Sequence, residues 1–178
     1  YTYVLDLTPG RDAVMSEFSS DARRNVRKTD DDAYRILETG REEIDDVIDH
    51  LSRRHEQQNV TYPITTDYVE TLYDRLPDGA VRTSVCQVDG TYATGMITLE
   101  DETTVYRWQG GGRPIGDVDV PVNDLLDWRL ICDAIDRGRE RYDLVGANTP
   151  QLCEYKSKFG PELVSYQAAE RGTRTMQM

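Results

Sequence analysis

The stretch Val122–Glu162, VNDLLDWRLICDAIDRGRERYDLVGANTPQLCEYKSKFGPE, decides the fold. Leu125, Trp128, Cys132 and Ile135 follow one another at three- and four-residue steps, which puts them on one face of a helix. Pro121, Asn123 and Asp124 suit the start of that helix, and Gly138 suits its end. Tyr142-Asp-Leu-Val-Gly-Ala is a short apolar run with the length of a buried strand. A second helix, from about Gln151 to Phe159, closes on Gly160-Pro161. The stretch therefore reads as helix, strand, helix and the start of another strand.

Working outward toward the N-terminus, the hydrophobic period changes from 3.6 to 2. Ala80–Val88 and Thr91–Leu99 flank Asp89-Gly90, the pair that a tight hairpin turn favours. Asp101-Glu102 leads into Thr103–Gln109, completing an antiparallel meander. The loop Gly110-Gly111-Gly112-Arg113-Pro114-Ile115-Gly116 then joins the meander to the quoted helix and reads as flexible. Before the meander, Ala33–Leu37 alternates as a short strand. Thr39-Gly-Arg-Glu42 reads as a capping box, and Ile44, Val47, Ile48, Leu51 and His55 share a helix face. Asn59–Pro63 breaks that helix. Another runs from about Thr66 to Leu76 and stops at Pro77-Asp78-Gly79. Residues 2–7 read as a strand. Met15, Phe18, Ala22 and Val26 mark one amphipathic helix over Asp12–Lys28. Leu163–Ala169 reads as the last strand, followed by a polar tail over 171–178. The order from residue 33 is β-α-α-β-β-β-α-β-α-β. It predicts an α/β (α+β) mixed sheet with helices on both faces.

The 178 residues suffice for one ordinary domain with a possible appendage. Acidic residues number 33 against 21 basic ones, a net charge of -12. The only lysines are Lys28, Lys156 and Lys158. An Asp-rich, Lys-poor surface fits a salt-adapted, haloarchaeal-like composition, because salt screens the self-repulsion. Codon bias in GC-rich DNA produces a similar pattern. The acidity argues against tight sequence-independent nucleic-acid binding, although Arg23-Arg24-Asn25-Val26-Arg27-Lys28 forms a local basic patch. No apolar run reaches the roughly 18 residues of a membrane span, and no secretory signal is legible. Cys86, Cys132 and Cys153 lack metal spacing and read as reduced core thiols, which points to a cytoplasmic setting. His50 and His55 miss the four-residue step of a helical metal pair and read as structural. Consecutive side chains of Asp30-Asp31-Asp32 point apart, so no metal site is expected. The chain opens at Tyr1 within a strand-like run, as a fragment would.

This element order is similar to the GNAT (acyl-CoA N-acyltransferase) fold. Leu125, Leu126, Trp128, Gly138, Asp143, Gly146, Tyr155, Lys156, Phe159 and Gly160, in that order, resemble the FemAB-like branch of that superfamily. The branch includes peptidoglycan bridge-forming aminoacyltransferases and the related BioF2-like acetyltransferase domains. Arg24, Arg27 and Lys28 resemble the basic helix that precedes the second unit of tandem members. The resemblance implies that 33–178 is a C-terminal GNAT unit. Residues 1–32 would then be the last strand of a preceding unit and the connecting helix.

The implied reaction is attack of an amine on a thioester or ester carbonyl, without a covalent enzyme intermediate. The enzyme has to place both reactants and stabilise the oxyanion. The resemblance implies that Thr103–Gln109 and Tyr142–Gly146 are neighbouring parallel strands that splay to admit the donor. Lys156 is the leading catalytic candidate, as a cation near the oxyanion; its alternative is a surface lysine. Tyr155 is a candidate general acid, or else a core aromatic. Arg107, Gln109, Gly110, Arg113 and Asn148 are donor- or substrate-contact candidates. Arg24, Arg27 and Lys28 are phosphate-binding candidates, or else a solvated helix face. The donor would be acyl-CoA or aminoacyl-tRNA, acting as co-substrate, with no resident cofactor. Partners would be an amine acceptor and possibly tRNA. The glycine run ends about eight residues before the helix, too far for the usual pyrophosphate loop at a helix N-terminus. The alternative function is a non-catalytic GNAT-like ligand-binding or scaffolding domain.

Overall fold

A computed structural model describes residues 1–167. The strands are β1 (Thr2–Asp6), β2 (Arg35–Glu38), β3 (Val81–Val88), β4 (Thr91–Glu100), β5 (Thr104–Gly110), β6 (Arg141–Asp143) and β7 (Glu162–Val164). The helices are α1 (Arg11–Glu17), α2 (Ser20–Lys28), α3 (Ile44–Glu56), α4 (Thr66–Arg75), α5 (Val122–Asp136) and α6 (Pro150–Ser157). One sheet carries all the strands, in the order β2-β3-β4-β5-β6-β1-β7. Only β5 and β6 pair in parallel; every other neighbour is antiparallel.

Helices cover both faces. Against one face, Val14, Met15, Phe18 and Ala22 of the α1–α2 segment meet Leu126, Leu130, Ile131 and Ala134 of α5. Together they cover Leu5, Met96, Val105, Tyr142 and Leu144 of the sheet. Against the other face, Ile44, Val47, Ile48 and Leu51 of α3 and Val69 of α4 cover Val81, Val85 and Ile97. The mixed sheet with two helical layers is the fold expected from the pattern.

Four details depart from the sequence reading. The single helix expected over Asp12–Lys28 is two, because Phe18 takes an extended backbone and Ser19 caps α2 by accepting from the Ala22 N–H (3.2 Å). The break drives Phe18 into the core, edge-on to Trp128 and Phe159. The capping box does not form. The Thr39 N–H joins Thr83 of the sheet, its hydroxyl is buried without a partner, and α3 starts only at Ile44. α5 buries more than one stripe, since α2 covers the side that the sheet does not. Leu126, Leu130, Ile131 and Ala134 lead its core contact, while Trp128 and Ile135 pack at the margin. The last strand is short, and the rest of its expected course and the tail lie partly or wholly outside the described residues. The hairpin is as expected: Asp89 and Gly90 both have positive φ, 51° and 73°.

β1 lies between β6 and β7, and α2 packs on α5 through Asn25, whose side-chain amide donates to Asp124 (2.8 Å). Residues 2–28 are thus built into the same sheet and core as the rest.

Candidate functional site

The parallel pair parts where chemistry is expected. The β5–β6 ladder runs only from Thr104↔Arg141 to Tyr106↔Asp143. Beyond it, β6 stays with β1: the Leu144 N–H donates to Tyr3 O (2.8 Å) and the Ala147 N–H to Tyr1 O (3.0 Å). β5 continues along β4 alone. At the parting point β5 bulges, because the register steps from Leu99↔Tyr106 to Ile97↔Gln109 and leaves Arg107 and Trp108 opposite Thr98. The bulge turns Gln109 toward the α3 side, where its side-chain carbonyl accepts from the Tyr62 hydroxyl (2.6 Å). Arg107 points the other way, under α5.

Arg107 and Lys156 are buried here, with 8% and 4% of their surface exposed. The Arg107 Nε donates to Asp127 Oδ1 (2.7 Å), and its guanidinium lies over the Tyr155 ring. The Tyr155 hydroxyl donates to Asp127 Oδ2 (2.7 Å), and the Tyr142 hydroxyl reaches Oδ1 at 3.4 Å. One carboxylate therefore organises a cation and two phenols. Burial, and then the Asp127 charge, push both tyrosines well above their ordinary acidity range. Lys156 Nζ donates to Val145 O (2.5 Å) and Gly146 O (2.7 Å). Burial first, and Arg107 second, push it down to about 8. The two carbonyls belong to a left-handed bend, Val145 φ 51° and Gly146 φ 76°, costly for a β-branched residue and fixed by the ammonium.

The predicted site residues divide clearly. Arg107, Tyr155 and Lys156 converge at the parting strands, and Gln109 and Gly110 line the β5 side. Asn148 stands exposed beside Gly146 at the rim. The Tyr155 hydroxyl keeps its proton and donates it in a hydrogen bond to Asp127, and its ring packs edge-on to Phe159, an arrangement that suits the core-aromatic alternative. Lys156 is not a surface lysine. Arg24, Arg27 and Lys28 lie on the α2 flank, Arg27 and Lys28 exposed and Arg24 paired with Asp21 (2.8 Å); no contact joins them to the gap. The Arg113 carbonyl accepts from His50 Nε2 (2.8 Å), and the Asn123 amide holds Gly112 O (3.0 Å), so the start of the glycine loop is tied down rather than free. Burial holds His50 below its ordinary pKa, which keeps the ring neutral with Nε2–H as donor and Nδ1 facing the Tyr92 hydroxyl. Asp127 was missed by sequence reasoning. Its one signal is a charge set among the apolar positions of α5.

The glycines have a packing purpose. A Cβ on Gly110 would meet Gly95 O at 2.2 Å, and one on Gly111 would meet Arg107 Nη2 at 1.9 Å. Gly111 also has φ 66°. Gly111→Ala is expected to displace the Arg107 guanidinium and lower stability by about 1–3 kcal/mol. A thermal midpoint equal to that of Gly116→Ala, whose Cβ meets nothing, would count against this packing role.

The model for the acetyltransferase (GNAT) domain matches residues 16–157. The chain belongs to this family, the class of N-acyltransferase folds. Among solved structures it is similar to FemX, with TM-score 0.80 and 14% identity over 90% of this chain and 58% of that one. It also resembles the C-terminal domain of a putative lysylphosphatidylglycerol synthetase from Agrobacterium fabrum (TM-score 0.56, 16% identity, 90% of this chain and 56% of that one). A third is an aminoglycoside acetyltransferase from an uncultured soil metagenomic sample, in complex with sisomicin (TM-score 0.59, 12% identity, 79% and 99%). The chain thus spans 58% of the FemX chain and 56% of the synthetase-domain chain. No curated protein matches the sequence. None of the helices among the described residues is long and apolar enough to cross a membrane.

Proposed function

We propose that this chain houses an N-acyltransferase centre of the FemAB-like kind, passing an acyl or aminoacyl group from a thioester or ester donor directly to an amine. The observation that carries the reading is the parting of β5 from β6 at a bulge, with two buried cations, Arg107 and Lys156, beneath the gap. A gap between parallel strands exposes β5 backbone that has no partner on that side, which suits an extended donor tail. The cations offset the charge that grows on the carbonyl oxygen. FemX is longer than this chain, in keeping with a second unit upstream of it in the full-length protein. The edge strand β7, with Leu163 exposed on it and Tyr166 exposed just beyond it, would suit such a neighbour.

The donor is either acyl-CoA or aminoacyl-tRNA. Thermal shift of the chain with acetyl-CoA and, separately, with charged tRNA separates them. The expected result is a concentration-dependent rise with one donor only, followed by transfer to a panel of primary amines. A second reading, a non-catalytic ligand-binding or scaffolding unit, is favoured by one observation. Both Asp127 oxygens are already engaged, so that carboxylate is not free to take the amine's proton. Binding of neither donor, even with an upstream unit restored, would select that reading.

A further inference from the structure

We infer that Arg107, rather than Lys156, is the group that receives the substrate oxyanion, and that Asp127 and Tyr155 are positioning residues that aim it. The inference rests on the acyl-transfer reading for its substrate and deepens it by assigning the contact atom.

The two cations differ in what they have left to offer. Lys156 Nζ is spent on Val145 O and Gly146 O, deep in the β6–α6 bend. Arg107 uses only its Nε, on Asp127. Its Nη1 and Nη2 donate to no acceptor among the described residues, although more than nine-tenths of the side chain is buried. A guanidinium carries five N–H donors in a rigid fork. Neither Nη is among the fully buried polar atoms that lack a partner, so that end of the fork is open to water and to an acceptor that displaces it. The Nη2 position is known from its neighbour: it fills the place a Gly111 side chain would take, at the exit of β5. The open end of the fork therefore lies beside the β5 segment that has lost β6 as a partner. The closed end is fixed by Asp127, whose other oxygen is tied to Tyr155, while the Tyr155 ring underlies the guanidinium plane.

The step this arrangement serves is balanced without any further reagent. The amine nitrogen bonds to the carbonyl carbon while the carbonyl π pair moves onto oxygen. The Nη–H groups hydrogen-bond that oxyanion. The pair then returns, the bond from carbon to the donor sulfur or oxygen breaks, and the proton lost by the amine ends on the leaving group.

The test uses the full chain labelled with ¹⁵N-arginine, with the Arg107 side-chain signals assigned by their loss in Arg107→Lys. Sodium acetate is the probe, since its carboxylate presents an oxyanion to the same fork. Sodium chloride at equal ionic strength is the control. The expected result is a saturable shift of the Arg107 signals with acetate and none with chloride. In parallel, Arg107→Lys, which keeps the charge but not the fork, should lower kcat about 10²–10³-fold with KM nearly unchanged. Asp127→Asn should lower kcat while moving the Arg107 Nε–H signal. Arg107 signals indifferent to acetate, or full turnover in Arg107→Lys, would overturn the inference. Saturable acetate binding with no turnover of any donor would instead retain the receptor and remove the transfer reading.

Discussion

Replacing Asp127 by alanine is expected to destabilise the protein by about 3–5 kcal/mol, the cost of breaking a buried ion pair by removing one partner. Asp127 is fully buried and is the shared acceptor for the Arg107 Nε, the Tyr155 hydroxyl and the Tyr142 hydroxyl. Alanine leaves a guanidinium and two phenols without the acceptor they share. Each unmet polar group adds about 1–3 kcal/mol, and the groups do not add independently because they share one network. Asp133 is the natural control. It sits on the same helix and pairs with Arg129, which is 57% exposed, and such pairs contribute at most about 1 kcal/mol. Urea unfolding of both variants is the measurement. An Asp127→Ala midpoint no lower than that of Asp133→Ala would show that the network contributes nothing to the fold.

The second large effect belongs to Lys156. Lys156→Met is expected to lower turnover about 10²-fold, the scale of a misplacement of roughly one ångström. The ammonium holds the strained Val145–Gly146 bend against β1, and methionine reproduces its bulk but not its donors. Turnover equal to wild type would remove Lys156 from the site. The same residue leaves a pH signature in stability. Lysine titrates near 10.5 when free, whereas in the folded protein burial and Arg107 lower it to about 8. Between those values the unfolded chain holds more protons, so stability rises with pH. The cost of burying the charge is fully present below about pH 8 and is gone above about 10.5. Denaturation midpoints from pH 7 upward should show this extra positive slope in wild type and not in Lys156→Met. Tyr62 and Tyr92, raised by burial, bend the curve the opposite way above pH 10, but equally in both proteins.

The sequence made the scaffold readable wherever a local signal coincided with the tertiary solution. The hairpin at Asp89-Gly90 needs two left-handed residues and has them. α5 shows its helical period because Leu126, Leu130 and Ile131 must meet the sheet. Reading failed where a local signal was outvoted. Thr39 and Glu42 have the right chemistry for a cap, but the sheet took the Thr39 backbone first. Phe18 and Ser19 sit inside a helical period, yet the aromatic contact with Trp128 and Phe159 and a new cap at Ser19 outweigh an unbroken helix.

The grouping of residues at the candidate site was half legible for a related reason. Lys156 stood out by resemblance to the FemAB-like pattern, and Arg107 as a contact candidate on the strand expected to line the donor gap. Asp127 did not, because an aspartate on a helix ordinarily faces water. Nothing local announces that α2 will cover that side of α5 or that an arginine twenty positions earlier, across a bulge, will reach it. The purpose of Gly111 was equally hidden. Its missing side chain is occupied by the Arg107 guanidinium, a relation visible only once β5 has bent.

The placement of β1 has a kinetic consequence. Its partners β6 and β7 lie at the other end of the chain, with Thr2 opposite Val164 and Val4 opposite Asp143. During synthesis the edges of β1 cannot both be satisfied until the chain has been made as far as Val164. Contacts of such sequence separation form late and slowly, because the loop between them must be closed first. This half of the sheet therefore closes late in folding, and the segment Thr2–Asp6, unpaired until then, is the part of the folding chain most exposed to aggregation.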